Sequence, residues 1–473
     1  MSIKSIFRRG NVKIHILSQC KGIIFIVVCI SFLSVGSAFG AGFALIEQGV
    51  SGLGNAYAGG AAGAEDASTI FFNPAGMTRL QGQQIILGAH IIMPYVKFDN
   101  EGSTHVLQPL TGKALQGGNG GEAGETRVVP NLYYSRKVSD RFTVGLAVNA
   151  PFGLATEYEK DWVGRYHAIE SDLMSININP SIAYKINDNL SIGGGFSAQY
   201  IKATLSSAID FGTFDFAGTF ATKFGLPIPP RSLGLTPQQS DGFGEVEGDS
   251  WGVGFNLGLL YEFNKNTRIG AAYRSRIEHT LDGDVDYSHV PTGLQPYPIF
   301  KDGGAEADVT LPDSLSVSFF HQINPQWMVM ADFTWTNWQQ FEKLEIKYDN
   351  PNQPVTITTE NWQDSYRYSL GLTYLPNKNW ALRAGTAYDT SAVSDKKYRT
   401  PRIPDGDRIW ASLGVGYKLS DMFSLDLGYA HLFINDPEIE KSVTTTEDRE
   451  RGGLVGSFKA HIDIISAQLT MSF

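Results

Sequence analysis

Ile465-Ser466-Ala467-Gln468-Leu469-Thr470-Met471-Ser472-Phe473 closes the chain, and its alternation decides the fold. Ile465, Ala467, Leu469, Met471 and Phe473 fall on one face of an extended chain. Ser466, Gln468, Thr470 and Ser472 fall on the other. Side chains of a strand alternate with period two, so this stretch reads as a strand with one apolar and one polar face. The pattern recurs upstream. Trp251, Val253, Phe255, Leu257, Leu259, Tyr261 and Phe263 share a face, as do Phe423, Leu425, Leu427 and Tyr429.

A strand ending in an aromatic resembles the last strand of bacterial outer-membrane β-barrels. The N-terminus agrees. Lys4, Arg8, Arg9, Lys13 and Lys21 form a basic leader, followed by an apolar run from Gly22 to Val35 and small residues at Ala38 and Gly40. That order is the layout of a secretory signal peptide over residues 1–40. Cys20 and Cys29 both lie in it, so the exported chain is expected to hold no thiol and no Cys-based metal site. After residue 40 no apolar run approaches the ~20 residues a spanning helix needs. An exported chain with alternating strands then has one membrane option, a closed barrel, because lipid offers no partner to an unpaired backbone group. The net charge is −10, which gives no electrostatic reason to bind nucleic acid.

Turn residues at Ser139-Asp140, Asn187 to Asn189, Asn264 to Asn266, Asn324-Pro325, Asn377 to Asn379 and Ser420-Asp421 mark short connections. Between them lie longer ones, roughly Asn100 to Glu125, Phe211 to Glu247 and Tyr287 to Gly304. The expected fold is an all-β transmembrane barrel of about fourteen antiparallel strands over residues 83–473, apolar side outward. Residues 41–82 break the pattern. Rich in Gly and Ala, with short helical stretches near Glu65 to Phe71 and Gly76 to Leu80, they read as a hatch, a plug inside the lumen.

The stretch from Phe142 to Tyr158 reads as one strand, yet it holds Pro151 and Gly153. Proline lacks the N–H a sheet needs, and glycine in a strand often marks a bulge or a close approach. Ala150-Pro151-Phe152-Gly153 is the expected kink; an ordinary bulge is the plain alternative. Asn73-Pro74-Ala75 reads as a helix start, with an Asn able to satisfy freed backbone groups. Phe211, Phe214, Phe216, Phe220 and Phe224 make one loop unusually apolar, and Leu294, Tyr297, Ile299 and Phe300 do the same for another. Exposed apolar surface on this scale marks binding, or a lid. The histidines are scattered without metal spacing, and no GxSxG occurs. No catalytic residue and no cofactor is expected. An outer-membrane lipid-acting enzyme and a water-filled porin are the readings from other classes.

Several pieces together resemble the FadL-type long-chain fatty-acid transporters and their relatives that take up aromatic hydrocarbons. They are Ala41-Gly42-Phe43, Ser51 to Gly54, Asp66-Ala67, Asn73 to Ala75, Phe152 to Thr156, Trp251 to Phe255, Tyr273 to Ser275, Asp364 to Arg367 and Ile403 to Asp405. The resemblance implies a monomeric fourteen-stranded barrel with a hatch and no energy coupling. Hydrophobic molecules would be captured by the apolar loops, held inside, and released sideways into outer-membrane lipid through the kink beside Asn73-Pro74-Ala75. It further implies that Phe43 reaches the pocket and that Lys202 meets a fatty-acid carboxylate, with Arg274, Arg276, Arg367 and Arg383 as inward alternatives. Long-chain fatty acids are the expected cargo, aromatic hydrocarbons the alternative.

Overall fold

The computed structural model describes residues 42–473. The expected signal peptide, residues 1–40, and Ala41 lie outside the described residues. Fourteen antiparallel strands form one closed sheet. They are β1 (Gln83–Asn100), β2 (Arg127–Lys137), β3 (Phe142–Asn149 and Gly153–Glu157), β4 (Glu170–Lys185), β5 (Leu190–Asp210) and β6 (Asp241–Asn264). Next come β7 (Thr267–Arg274 and Ile277–Ser288), β8 (Gly303–Leu311 and Ser314–Gln322), β9 (Trp327–Thr336 and Lys343–Tyr348) and β10 (Thr356–Thr359 and Ser365–Tyr374). The last four are β11 (Trp380–Asp389), β12 (Arg408–Lys418), β13 (Phe423–Ile434 and Glu438–Glu440) and β14 (Val455–Ser472). Each strand pairs with its neighbours in sequence. β1 closes on β14 from Gln84↔Ser472 to Asn100↔Gly456, so this junction leaves no open edge to lipid.

All six short connections fall at the expected turns. The second long connection is shorter than expected, because β6 begins at Asp241 rather than beyond Glu247. The burial pattern is inverted relative to a soluble protein. Ser466, Gln468 and Thr470 are buried in the lumen, while Val253 (65 % exposed) and Leu370 (63 %) face outward. Aromatic pairs stand near the short-turn end, Trp327 on Tyr374 and Trp380 on Tyr417, at 4.4 and 4.5 Å between centroids. They suit an interfacial girdle.

β7, β8, β9 and β10 are each interrupted some eight to ten residues from their short turns, at 275–276, 312–313, 337–342 and 360–364. That is about the length a strand needs to cross a bilayer. Beyond this level the outward face turns acidic, with Glu247 and Asp249 on β6 and Glu278 and Asp282 on β7. The strands therefore continue past the apolar band.

The N-terminal segment lies inside, as expected. Helical turns at Val50–Leu53, Gly60–Gly63 and Thr69–Phe72 and a 3-10 turn at Pro74–Arg79 pack against the lumenal wall. Ala67, Ile70, Met77 and Leu80 join Ile86, Tyr133, Ala147 and Ala183 of the barrel in one buried cluster. Three wall arginines donate to the segment's carbonyls, whose helical turns end with unsatisfied oxygens. Arg268 bonds Ala62 O and Gly63 O at 2.6 and 2.5 Å, Arg274 bonds Phe71 O at 3.0 Å, and Arg367 bonds Ala56 O at 2.7 Å.

Candidate functional site

β3 breaks between Asn149 and Gly153, where Pro151 was expected to break it. Its first piece pairs with β2 from Leu132↔Val148 to Lys137↔Thr143. Its second piece pairs with β4, Gly153↔Met174 to Glu157↔Glu170, and among the described residues forms no ladder with β2. The wall is therefore interrupted on one side of a single strand.

Other parts of the chain take up the backbone groups freed there. Gly153 N donates to Phe43 O (2.9 Å), Leu45 N donates to Pro151 O (2.8 Å), and Gln48 Nε2 donates to Ala150 O (2.9 Å). Ser175 Oγ accepts from Phe152 N at 3.0 Å and donates to Phe152 O at 2.7 Å. Residues 43–48 thus act as a substitute strand at the break. This corrects one expectation. Asn73 does not bond the kink: its Nδ2 donates to Ala61 O (2.6 Å) and Leu259 O (2.9 Å), and its Oδ1 accepts from Ala75 N. Asn73-Pro74-Ala75 sits instead on β5 to β7, in a socket of wall glycines. A Cβ on Gly258 would stand 2.9 Å from Pro74 Cδ, and one on Gly193 2.5 Å from the Pro74 carbonyl carbon. A Cβ on Gly270 would stand 3.0 Å from Asn73 Nδ2.

The kink and the socket border the same cavity, of about 150 Å³. Leu45, Phe71, Phe72, Pro74, Pro151 and Phe152 supply apolar lining, with Tyr57 and Trp410 beside them. Arg274, Asp332, Arg367 and Asp389 supply the charged lining. Arg367 Nε pairs with Asp389 at 3.0 Å. Asp332 accepts from Ser316 and Thr334, each at 2.8 Å, and from Ser318. Phe43 is buried beside the kink, in an aromatic box with Phe152, Trp338, Phe341 and Trp362 at 4.8 to 6.1 Å.

Glu47 sits in the N-terminal segment, 1 % exposed, and neither carboxylate oxygen accepts a hydrogen bond from another of the described residues. Burial pushes its carboxyl up to about 7, partly offset by Arg367 and Arg408.

The apolar loops do not present an open groove. Phe211, Phe214, Phe220, Leu294, Ile299 and Phe300 are buried against one another in a small core of their own. Phe216 stands apart, with the Arg231 guanidinium 4.0 Å from its ring centroid. Phe214 and Phe300 border a second cavity of about 330 Å³, with Phe224, Tyr348 and Arg402. Lys202 does not reach either cavity. Strand parity turns it outward, opposite Asp249, where it pairs with Glu247 at 2.6 Å. Arg276 is exposed and bonds Gln340, while Arg383 is held in the lumen by Asp426 and Glu65. Residues 43–48 and Ser175 are the part that reading the sequence missed, apart from Phe43.

A closed barrel, a lumenal N-terminal segment and an interrupted third strand make a specific combination. A model of the outer membrane protein transport protein family (OMPP1/FadL/TodX) matches residues 31–473. The chain belongs to this family. A putative outer membrane protein of Neisseria meningitidis serogroup B is 35 % identical over 93 % of this chain and 98 % of its own length. A long-chain fatty acid transport protein of Escherichia coli O6:H1 is 33 % identical over 86 % and 90 %. The crystal structure of a FadL homologue of Pseudomonas aeruginosa superposes with a TM-score of 0.80 at 26 % identity, covering 92 % of this chain and 100 % of that one. Membership of the OMPP1/FadL/TodX family places the protein in the Gram-negative outer membrane as a transporter of hydrophobic molecules, not an enzyme.

Proposed function

We propose that this protein is a monomeric, passive uptake channel for long-chain fatty acids that releases them sideways into outer-membrane lipid. The observation that carries the reading is the shared boundary of wall break and cavity: Pro151 and Phe152 are at once the interrupted strand and the cavity lining. Each methylene left in water costs ~0.8 kcal/mol, so a sixteen-carbon tail faces on the order of 10 kcal/mol in a wet channel. A lateral path keeps the chain on apolar walls. In this reading the loop core of Phe211, Phe214, Ile299 and Phe300 forms the outer capture region. The hatch holds the cargo near Phe43, and residues 43–48 shift to uncover the kink.

Cavity size favours aromatic hydrocarbons as a second reading. A space of about 150 Å³ matches one that takes up benzene in another protein. A long acyl chain fits only if residues 43–48 move or the tail extends through the break.

The test is a wall repair. Replacing Pro151 and Gly153 with valine restores an N–H and a strand former. Assembly into heat-resistant barrels should persist, and uptake of labelled oleate by whole cells should fall at least tenfold. Undiminished uptake by a fully assembled variant would rule out lateral release at this strand.

A further inference from the structure

Two guanidinium groups border the hatch cavity, and their surroundings differ. Arg367 has a carboxylate, Asp389, at 3.0 Å. Arg274 has none within ion-pair distance among the described residues. Its centre lies 4.2 Å from the ring centroid of Phe71, and its Nη2 donates to Phe71 O at 3.0 Å. The cavity's two acids are already engaged. Asp389 is held by Arg367 and by Trp410 Nε1 at 2.8 Å, and Asp332 by three hydroxyls. One ring contact and one carbonyl leave the positive charge of Arg274 without a counter-charge beside an apolar wall. Such a charge is costly unless an anion joins it.

Building on the transport reading above, we infer that Arg274 receives the carboxylate of the cargo and makes the cavity selective for long-chain acids over neutral molecules of the same length. The planar fork of arginine suits two parallel bonds to a carboxylate. With the head at Arg274, Phe71, Phe72 and Phe152 line the space left to the tail, which then approaches the break in β3. A neutral hydrocarbon would use the same walls and gain nothing from Arg274.

The plain alternative is that Arg274 only ties down Phe71. The two roles separate in one binding experiment on the full chain purified in a nonionic detergent. Oleate and methyl oleate are titrated against tryptophan fluorescence, on the protein as it stands and on Arg274→Gln and Arg274→Lys. The protein should bind the acid roughly ten- to a hundredfold more tightly than the ester, the worth of a hydrogen bond to a charged group. Arg274→Gln should bring that ratio close to one by weakening the acid far more than the ester, and Arg274→Lys should keep most of it. Equal affinity for acid and ester, or an equal loss of both in Arg274→Gln, overturns the assignment alone. Binding of neither probe by the unsubstituted protein overturns the transport reading with it.

Discussion

Of the places where the N-terminal segment meets the barrel wall, two hold it differently. Around Asn73-Pro74-Ala75 the contact is mainly steric: the wall is bare of side chains at Gly193, Gly258 and Gly270, the segment fills the space, and one hydrogen bond from Asn73 to Leu259 O adds to it. Around Phe43 to Gln48 the backbone is held by a handful of hydrogen bonds to a strand that has lost its own partner, and Phe43 alone is gripped by an aromatic box. Close packing resists displacement along its whole surface. A few backbone bonds exchange with other partners at a net cost of about 1 kcal/mol each. In the proposed transport cycle residues 73–75 are the anchor and residues 43–48 the moving part.

Filling the socket should have the largest effect. Gly258→Val drives a side chain into Asn73 and Pro74, and such overpacking costs ~1–3 kcal/mol. The segment should leave its seat, and single-channel recordings should change from near silence to steady ionic current. A silent channel would show that the socket is not the anchor.

The second effect concerns pH at the moving part. Burial raises the Glu47 carboxyl to about 7, from an ordinary value near 4.5. The docked segment thus binds a proton more readily than the undocked one. Docking is favoured below pH 4.5, weakens across pH 4.5 to 7, and by pH 8 has lost up to ~3 kcal/mol. Arg367 and Arg408 oppose this shift, and Asp389 reinforces it. Amide exchange of residues 42–49 should quicken from pH 5 to pH 8 after correction for intrinsic rates. Glu47→Gln should flatten that dependence while residues 73–80 stay protected in both.

The smallest effect belongs to a residue outside the comparison. Lys202→Gln removes an outward ion pair with Glu247, and exposed pairs of this kind contribute ~0–1 kcal/mol. Fatty-acid uptake should match the unsubstituted protein. A strong defect would mean that Lys202 meets cargo.

The barrel was legible because a membrane wall imposes a strict rule. Every second residue must suit lipid, and Asn, Asp and Pro mark the short turns. The kink was legible for the same reason, since Pro151 cannot serve a ladder. Its partners were not. Ser175 is one polar residue among many on a lumenal face, and Leu45 and Gln48 act through backbone geometry or a long-range contact that no local pattern announces. Asn73 was read as serving the kink, but the glycines that seat it, Gly193, Gly258 and Gly270, lie on three different strands. Lys202 was misplaced by resemblance, although period two already turned it to the same face as Tyr200, which packs on the outward Trp251.

If cargo leaves only when residues 43–48 move away from the kink, a reversible tether across that contact must stop transport. Ala44 and Phe152 already face each other as a bridge pair, so cysteines at both positions can join them. The expected result is oleate uptake near background while the disulfide is intact, recovering to at least half of the untethered level after reduction. Full uptake through the oxidised tether would show that cargo leaves without any movement of residues 43–48.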